Sequence, residues 1–165
     1  MHQLTADPTN PLTLAEAGAD DLPALVTLLH VAYAEFLGKI DPPSGAHSET
    51  IATLGEKLRT ARAIKAQMGT NLAGCIFLEF QSTHLYFSRL AVLPAYRQMG
   101  IGRQLVAYAE AEARRYNLPC VTLNVRLSIP ANMAYYTTLG YRVIGYGSHT
   151  GYNEPTFAHM AKSII

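Results

Sequence analysis

The chain has 165 residues, of which 49% are hydrophobic and only 15% charged. That composition buries a core and excludes the disordered and fibrous classes, and the length suits one domain better than two. A formal net charge of +1, with 13 Lys and Arg scattered along the chain, leaves no electrostatic footprint for nucleic acid. The first sixteen residues, MHQLTADPTNPLTLAE, lack a basic-then-apolar signal pattern. No segment offers the roughly 20 apolar residues of a membrane span, so the expected location is cytoplasmic. Cys75 and Cys120 each lie in or beside an apolar run. They read as small buried hydrophobes rather than as a disulfide or metal ligands.

One domain is expected over 1–165, with 1–11 as a flexible tail. LTLAEA (12–17) reads as a strand, and GADD after it supplies capping carboxylates. Leu22, Leu25, Val26, Leu29, Ala32, Tyr33 and Phe36 follow helical spacing and form one amphipathic face, which GKIDPPSGA breaks. Ile51, Leu54 and Leu58 mark a weaker second helix containing Gly55. The period then changes. RAIKAQ, LAGCIFLEFQ and HLYFSRLAVL, joined by MGTN and ST, read as an antiparallel meander. After RQMGIG, the residues Ile101, Leu105, Tyr108 and Ala109 face a core from a helix ending near Arg114 and Arg115. CVTLNV is a strand, SIPANMAYYTTLG a short helix with Pro130 in its first turn and Gly140 at its close, and YRVIGY and TFAHMAK two more strands. The order β-α-α-β-β-β-α-β-α-β-β predicts an α/β (α+β) fold with a mixed, mostly antiparallel sheet and helices on both faces.

The turn RQMGIG holds more than a strand-to-helix connection requires. The first amides of the following helix lack intrahelical partners, and glycine lets an anion approach that backbone closely. Arg97 adds a positive charge able to grip a phosphate oxygen with two prongs. Taken alone, R-x-x-G-x-G is a short pattern, and glycine turns before helices are common. Neither G-x-x-x-x-G-K-[ST] nor a full G-x-G-x-x-G occurs.

RLAVLPAYRQMGIGRQLVAYAEAEARR resembles the cofactor-binding motif of the GNAT superfamily of acyl-CoA-dependent N-acyltransferases, with Val92, Pro94, Tyr96, Arg97, Gly100 and Gly102 in place. NMAYYTTLGYRV, with Tyr136, Gly140 and Tyr141, is similar to the family's second signature, A-x-x-x-Y-x-x-x-G-[FY]. The close match covers roughly residues 84 to 145, and the β-α-α-β-β-β beginning also agrees. The resemblance implies a GNAT-like N-acetyltransferase that uses acetyl-CoA as cosubstrate and no metal. It implies that the backbone of Leu90, Ala91 and Val92 sits at a bulge beside the pantetheine arm, with one N–H polarising the thioester carbonyl. Arg97, Gln98, Met99, Gly100, Ile101 and Gly102 would take the pyrophosphate. Tyr136 would be the general acid that reprotonates the leaving thiolate, although as one of 10 tyrosines it has a bland reading as packing.

Two departures matter. Where many family members carry a cofactor-binding asparagine, seven residues before the tyrosine, this chain has Ile129; Asn132, about one turn from Tyr136, is the contact expected instead. On the fifth strand LNVR replaces the L-E-V-R of members that acetylate protein N-termini, so Asn124 supplies no carboxylate. Candidates for the base are Glu79, Glu35 and His84, each with a bland reading on a solvated face or in a turn; a water relay or an already neutral amine would also serve. The acceptor cleft would be built by GKIDPPSGAHSET and GYGSHTGYNEPT, with Tyr33, Tyr146, His149 and Tyr152 lining it. The expected partner is a small-molecule or peptide amine, with no nucleic acid and no membrane, and homodimer formation is left open. The alternative is a non-catalytic acyl-CoA sensor of the same fold, which the retained Tyr136 argues against.

Overall fold

In the computed structural model, which describes residues 10–165, the strand residues form one seven-stranded sheet of order β1-β2-β3-β4-β5-β7-β6. The strands are β1 Leu12–Glu16, β2 Arg62–Met68, β3 Asn71–Phe80, β4 Leu85–Val92, β5 Cys120–Arg126, β6 Arg142–Gly147 and β7 Phe157–Ser163. The helices are α1 Leu22–Tyr33, α2 Ile51–Lys57, α3 Ile101–Arg115 and α4 Pro130–Thr138. All pairings are antiparallel except β4 with β5. Of the tail expected over 1–11, residues 1–9 lie outside the described residues. Pro11 is already tied to the sheet, its carbonyl accepting from the Gly69 amide at 3.1 Å.

Alternation along the strands sends side chains to two cores. Ala63, Cys75, Phe77 and Ala91 face α1 and α2, meeting Leu25, Leu28, Leu29 and Leu54. Ile64, Ile76, Leu78, Leu85 and Phe87 face the other way, onto Ile101, Leu105, Ala109 and Ala113 of α3. Tyr136 and Met133 of α4 pack on that second core. Helices therefore cover both faces of a mixed sheet, as the pattern of elements predicts.

The first helix is shorter than its apolar spacing suggests. At Tyr33 the backbone reaches φ −96° and ψ 0°, and Ala34–Phe36 continue only as a 3-10 turn. Gly38 at φ 69° then reverses the chain into the two prolines of the loop. The α2 helix forms in spite of Gly55 because Thr50 caps it: its Oγ1 accepts from the Thr53 amide at 3.1 Å, and Thr53 Oγ1 accepts from the Thr50 amide at 2.8 Å. Asp21 does similar work ahead of α1, accepting from the Gly18 amide at 2.8 Å.

Candidate active site

The site is an interruption of the sheet. β4 and β5 pair only at Leu85 with Val121 and Tyr86 with Thr122, after which the two parallel strands part. Just beyond, β4 bulges: Cys75 faces Ala91 and Phe77 faces Ser88, so three steps on β4 answer two on β3. Arg89 absorbs the extra residue with φ 52°. The strand then resumes with the Leu93 amide bonded to Ala73 across β3, which turns the polar groups of Leu90 and Val92 toward the gap. Both carbonyls are engaged there: Tyr33 Oη donates to Leu90 O at 3.1 Å and Arg97 Nε to Val92 O at 3.1 Å. Their amides remain on the open side. The gap widens into a cleft of about 1310 Å³ walled by α1, the loop after it, β4, β5, the start of α3, α4 and the β6–β7 loop.

At one end of this cleft stands the N-terminus of α3. Its first helical bond runs from the Gln104 amide to Gly100 O at 3.0 Å, so the amides of Ile101, Gly102 and Arg103 have no partner within the helix. The turn before it needs left-handed backbone at Gln98 (φ 63°) and Gly100 (φ 79°). Gly102 keeps space open for a different reason: a Cβ there would come within 3.3 Å of Tyr135 Oη, a tight contact.

Arg97 does not extend into that cradle. Besides Val92 O, its guanidinium donates to Ala32 O at 2.9 Å and pairs with Glu35 at 2.6 Å, fastening the end of α1 to β4. Arg103 is exposed at the rim and, unlike Arg97, forms none of the ion pairs found among the described residues.

Leu90, Ala91, Val92, Arg97, Gln98, Gly100, Ile101, Gly102, Asn132 and Tyr136 all reach the cleft wall, whereas Met99 is exposed outside it. Tyr136 stands half-buried on the cleft wall, as does Tyr33, which packs with the core on the opposite face of the sheet. It is wedged among Phe87, Tyr135 and Tyr141, with ring centroids 6.0, 5.2 and 6.2 Å away. Burial first, and then the neighbouring Tyr33 and Tyr135 hydroxyls, push its phenol well above the usual range, so it stays protonated at neutral pH. Tyr33 is likewise pushed up to about 12 by burial, with Arg89 and Arg126 opposing.

The other end is closed by a bridge between the loop after α1 and the far half of the sheet. Arg126 donates to Pro42 O at 2.5 Å and Pro43 O at 3.0 Å, and Tyr152 Oη donates to the Asp41 carboxylate. Arg89 lies over Gly45, where a Cβ would strike its guanidinium at 2.5 Å, and pairs with buried Glu49 at 3.1 Å. His149 reaches the wall from the β6–β7 loop. Its Nδ1 is 2.5 Å from Thr156 Oγ1, and burial together with Arg126 holds its pKa below the ordinary histidine range.

Of the three base candidates read from sequence, only Glu35 lies on the wall, and Arg97 neutralises it. Glu79 sits on β3 opposite Tyr86, and His84 bonds Thr83 at the closed end of β4. Of the residues expected to line an acceptor cleft, Tyr33 and His149 reach the cleft wall, while Tyr146 is exposed on β6 and Tyr152 serves the bridge.

The Acetyltransferase (GNAT) family model matches residues 31–141 of this chain, from the end of α1 to the close of α4. The chain belongs to the GNAT family. This acetyltransferase superposes with a TM-score of 0.77 on PaiA N-acetyltransferase from Thermoplasma acidophilum in complex with coenzyme A, at 17% identity over 92% of this chain and 98% of that one. With the ribosomal-protein-S18-alanine N-acetyltransferase from Escherichia coli the TM-score is 0.74, at 20% identity over 93% and 94%. A 75-residue stretch is 35% identical to tRNA(Met) cytidine acetyltransferase TmcA of Yersinia pestis (strain D106004), covering 45% of this chain and 10% of that protein. This chain thus spans about a tenth of the length of that curated relative.

GNAT enzymes use acetyl-CoA, and the residues of this one fit it. Unpartnered amides and Arg103 suit a pyrophosphate, the open-side amides of Leu90 and Val92 suit an amide-rich arm, and Gly102 leaves the room a side chain would fill. No helix among the described residues is long and apolar enough to cross a membrane. Among those residues no cluster of His, Cys, Asp and Glu has the makings of a metal site. Cys75 is fully buried, and burial pushes its thiol up to about 12.

Sequence reasoning missed Arg89, Arg103 and Arg126. Nothing in a linear pattern marks an arginine as the bulge residue. Arg103 was legible as the first charge after the glycines. The role of Arg126 depends on prolines that lie more than 80 residues earlier in the chain.

Proposed function

We propose that the enzyme acetylates the primary amine of a small molecule or peptide by direct attack, with Tyr136 as general acid and His149 as general base. The observation that carries this is that Tyr136, a half-buried phenol kept protonated by desolvation and its tyrosine neighbours, lines the same cleft as the bulged segment of β4. Acetyl-CoA, when bound, supplies an acetyl group activated as a thioester and a thiol leaving group.

The chain's own residues do the rest. The amides at the start of α3 and the Arg103 side chain hold the pyrophosphate, and Asn132, exposed on the first turn of α4, adds a rim contact. Gln98, Met99 and Gly100 shape the turn, and Arg97 acts through the shell, locking α1 and Val92 in place. The Leu90 and Val92 amides are donors for the acetyl oxygen, where charge grows during attack. Tyr33 fixes the carbonyl of Leu90, and with it the plane of that peptide.

The amine must lose a proton before it can attack. His149 is suited to take it at Nε2, because its depressed pKa keeps the ring neutral at pH 7 and Thr156 holds Nδ1. Tyr136 then releases its phenolic proton from Oη to the departing sulfur. Thiol release from acetyl-CoA, measured across a panel of amines for the native protein and Tyr136→Phe, tests this reading. Acetyl-CoA bound without thiol release for any amine would overturn it.

A further inference from the structure

The charges around the cleft do not balance at the acceptor end. The wall carries one carboxylate, Glu35, and it is consumed by Arg97 at 2.6 Å. Arg89 is matched by Glu49 at 3.1 Å. Arg103 stands at the opposite end, beside the amides of α3.

That leaves Arg126, half-buried where β5 ends, with no carboxylate within ion-pair distance among the described residues. Asp41, the nearest acid along the bridging loop, is turned to Tyr152. The guanidinium is oriented by Pro42 O and Pro43 O. Carbonyls orient a cation without neutralising it, and two of the five N–H donors are used, so the fork retains donors for a planar anion. A half-buried cation without a carboxylate partner also repels any acceptor that brings only an ammonium to this wall. An acceptor with its own negative charge removes both penalties.

We propose that the acceptor is an amine that also bears a carboxylate, an amino acid or close analogue, and that Arg126 binds the carboxylate while the amine faces the gap. The assignment of the amine rests on the acetyl-transfer reading above. The carboxylate site does not, since it can be occupied without turnover.

The experiment pairs each common L-amino acid, β-alanine and 4-aminobutyrate with its carboxamide. Binding to the coenzyme A-saturated protein is followed by ligand-observed NMR, and turnover by thiol release from acetyl-CoA. At least one acid is expected to bind about 10- to 100-fold more tightly than its amide, the range of a charge-assisted contact. Arg126→Gln should erase that preference, with the loss in KM rather than kcat, and Arg126→Lys should restore part of it. Tyr152→Phe loosens the same loop but keeps the guanidinium, so it should preserve the preference.

Equal binding of acids and amides, binding of none, or an equal loss for both in Arg126→Gln would overturn the inference. Turnover of amides or polyamines alone would sink it while leaving acetyl transfer standing. Acids that bind through Arg126 but are never acetylated would sustain the carboxylate site and overturn the transfer reading.

Discussion

Replacing Tyr136 by Phe removes one oxygen from the cleft and keeps the ring. The ring is held by Phe87, Tyr135 and Tyr141 at 5.2 to 6.2 Å, contacts of about 0.5–1.5 kcal/mol each that phenylalanine retains. Stability should therefore change by less than about 1 kcal/mol. Coenzyme A affinity should also hold, because the amides of α3 are untouched. Turnover should fall about 10²–10⁴-fold, the usual range for a lost general acid. At 1.36 kcal/mol per decade this is a barrier increase of roughly 2.7–5.4 kcal/mol. Steady-state thiol release gives kcat, calorimetry the coenzyme A affinity, and thermal unfolding the stability. Tyr135→Phe is the companion variant: its hydroxyl lies beside Gly102 rather than Tyr33, so it should alter cofactor KM more than kcat. A kcat loss in Tyr135→Phe with Tyr136→Phe unaffected would refute the assignment, and so would a Tyr136→Phe whose turnover loss tracks a drop in melting temperature.

The remaining predictions concern the cradle, the cations and pH. Gly102→Val should weaken coenzyme A binding in calorimetry, since its branched side chain would project beside the open amides of α3 and press on Tyr135 Oη, which a Cβ alone approaches to 3.3 Å. Gly100→Val meets no atom within 4 Å, and should instead cost stability through its φ of 79°. Arg103→Ala should weaken coenzyme A far more than a pantetheine fragment lacking the pyrophosphate, with little change in melting temperature. Arg97→Ala should lower the melting temperature, because it releases Ala32 O, Val92 O and Glu35 together; the reverse assignment of the two effects would show that Arg97 is the phosphate ligand. If His149 is the base, activity is lost as the ring protonates, and because its pKa is depressed the acid limb of kcat/KM should lie below 6.5. His149→Gln should flatten that limb, and a limb above pH 7 would exclude the residue. Asp21 has a folded pKa lowered by the Gly18 amide and then Lys65, so its stabilisation is present above the ordinary value of 3.8 and fades as pH falls below it. Asp21→Asn should thus cost about 1 kcal/mol at pH 7 and progressively less as the pH falls below 3.8, as read by denaturant unfolding.

Periodicity and turn chemistry along the chain were sufficient to set the order of elements. The alternation in RAIKAQ and LAGCIFLEFQ, the helical spacing from Leu22 to Ala32 and the glycine turn before Ile101 are local signals, and local physics reads them correctly. The glycine turn and the helix that carries Tyr136 were legible for the same reason, since a turn at a helix start and a phenol at fixed spacing from Gly140 are properties of short segments. Tertiary structure decided everything that depends on two distant segments meeting. The ladder between β4 and β5, two segments distant in sequence, stops at Tyr86, and the parting of those strands makes the cleft. Arg97 was readable as a cation, but its charge goes to Glu35 and Ala32 because the end of α1 lies alongside the loop. Arg126 looked like an ordinary strand-end arginine, and only the return of Pro42 and Pro43 across the sheet leaves it oriented and without an acid. A charge is written in the sequence, but what neutralises it is chosen by the fold, because Coulomb and hydrogen-bond energies depend on distances that no linear spacing fixes.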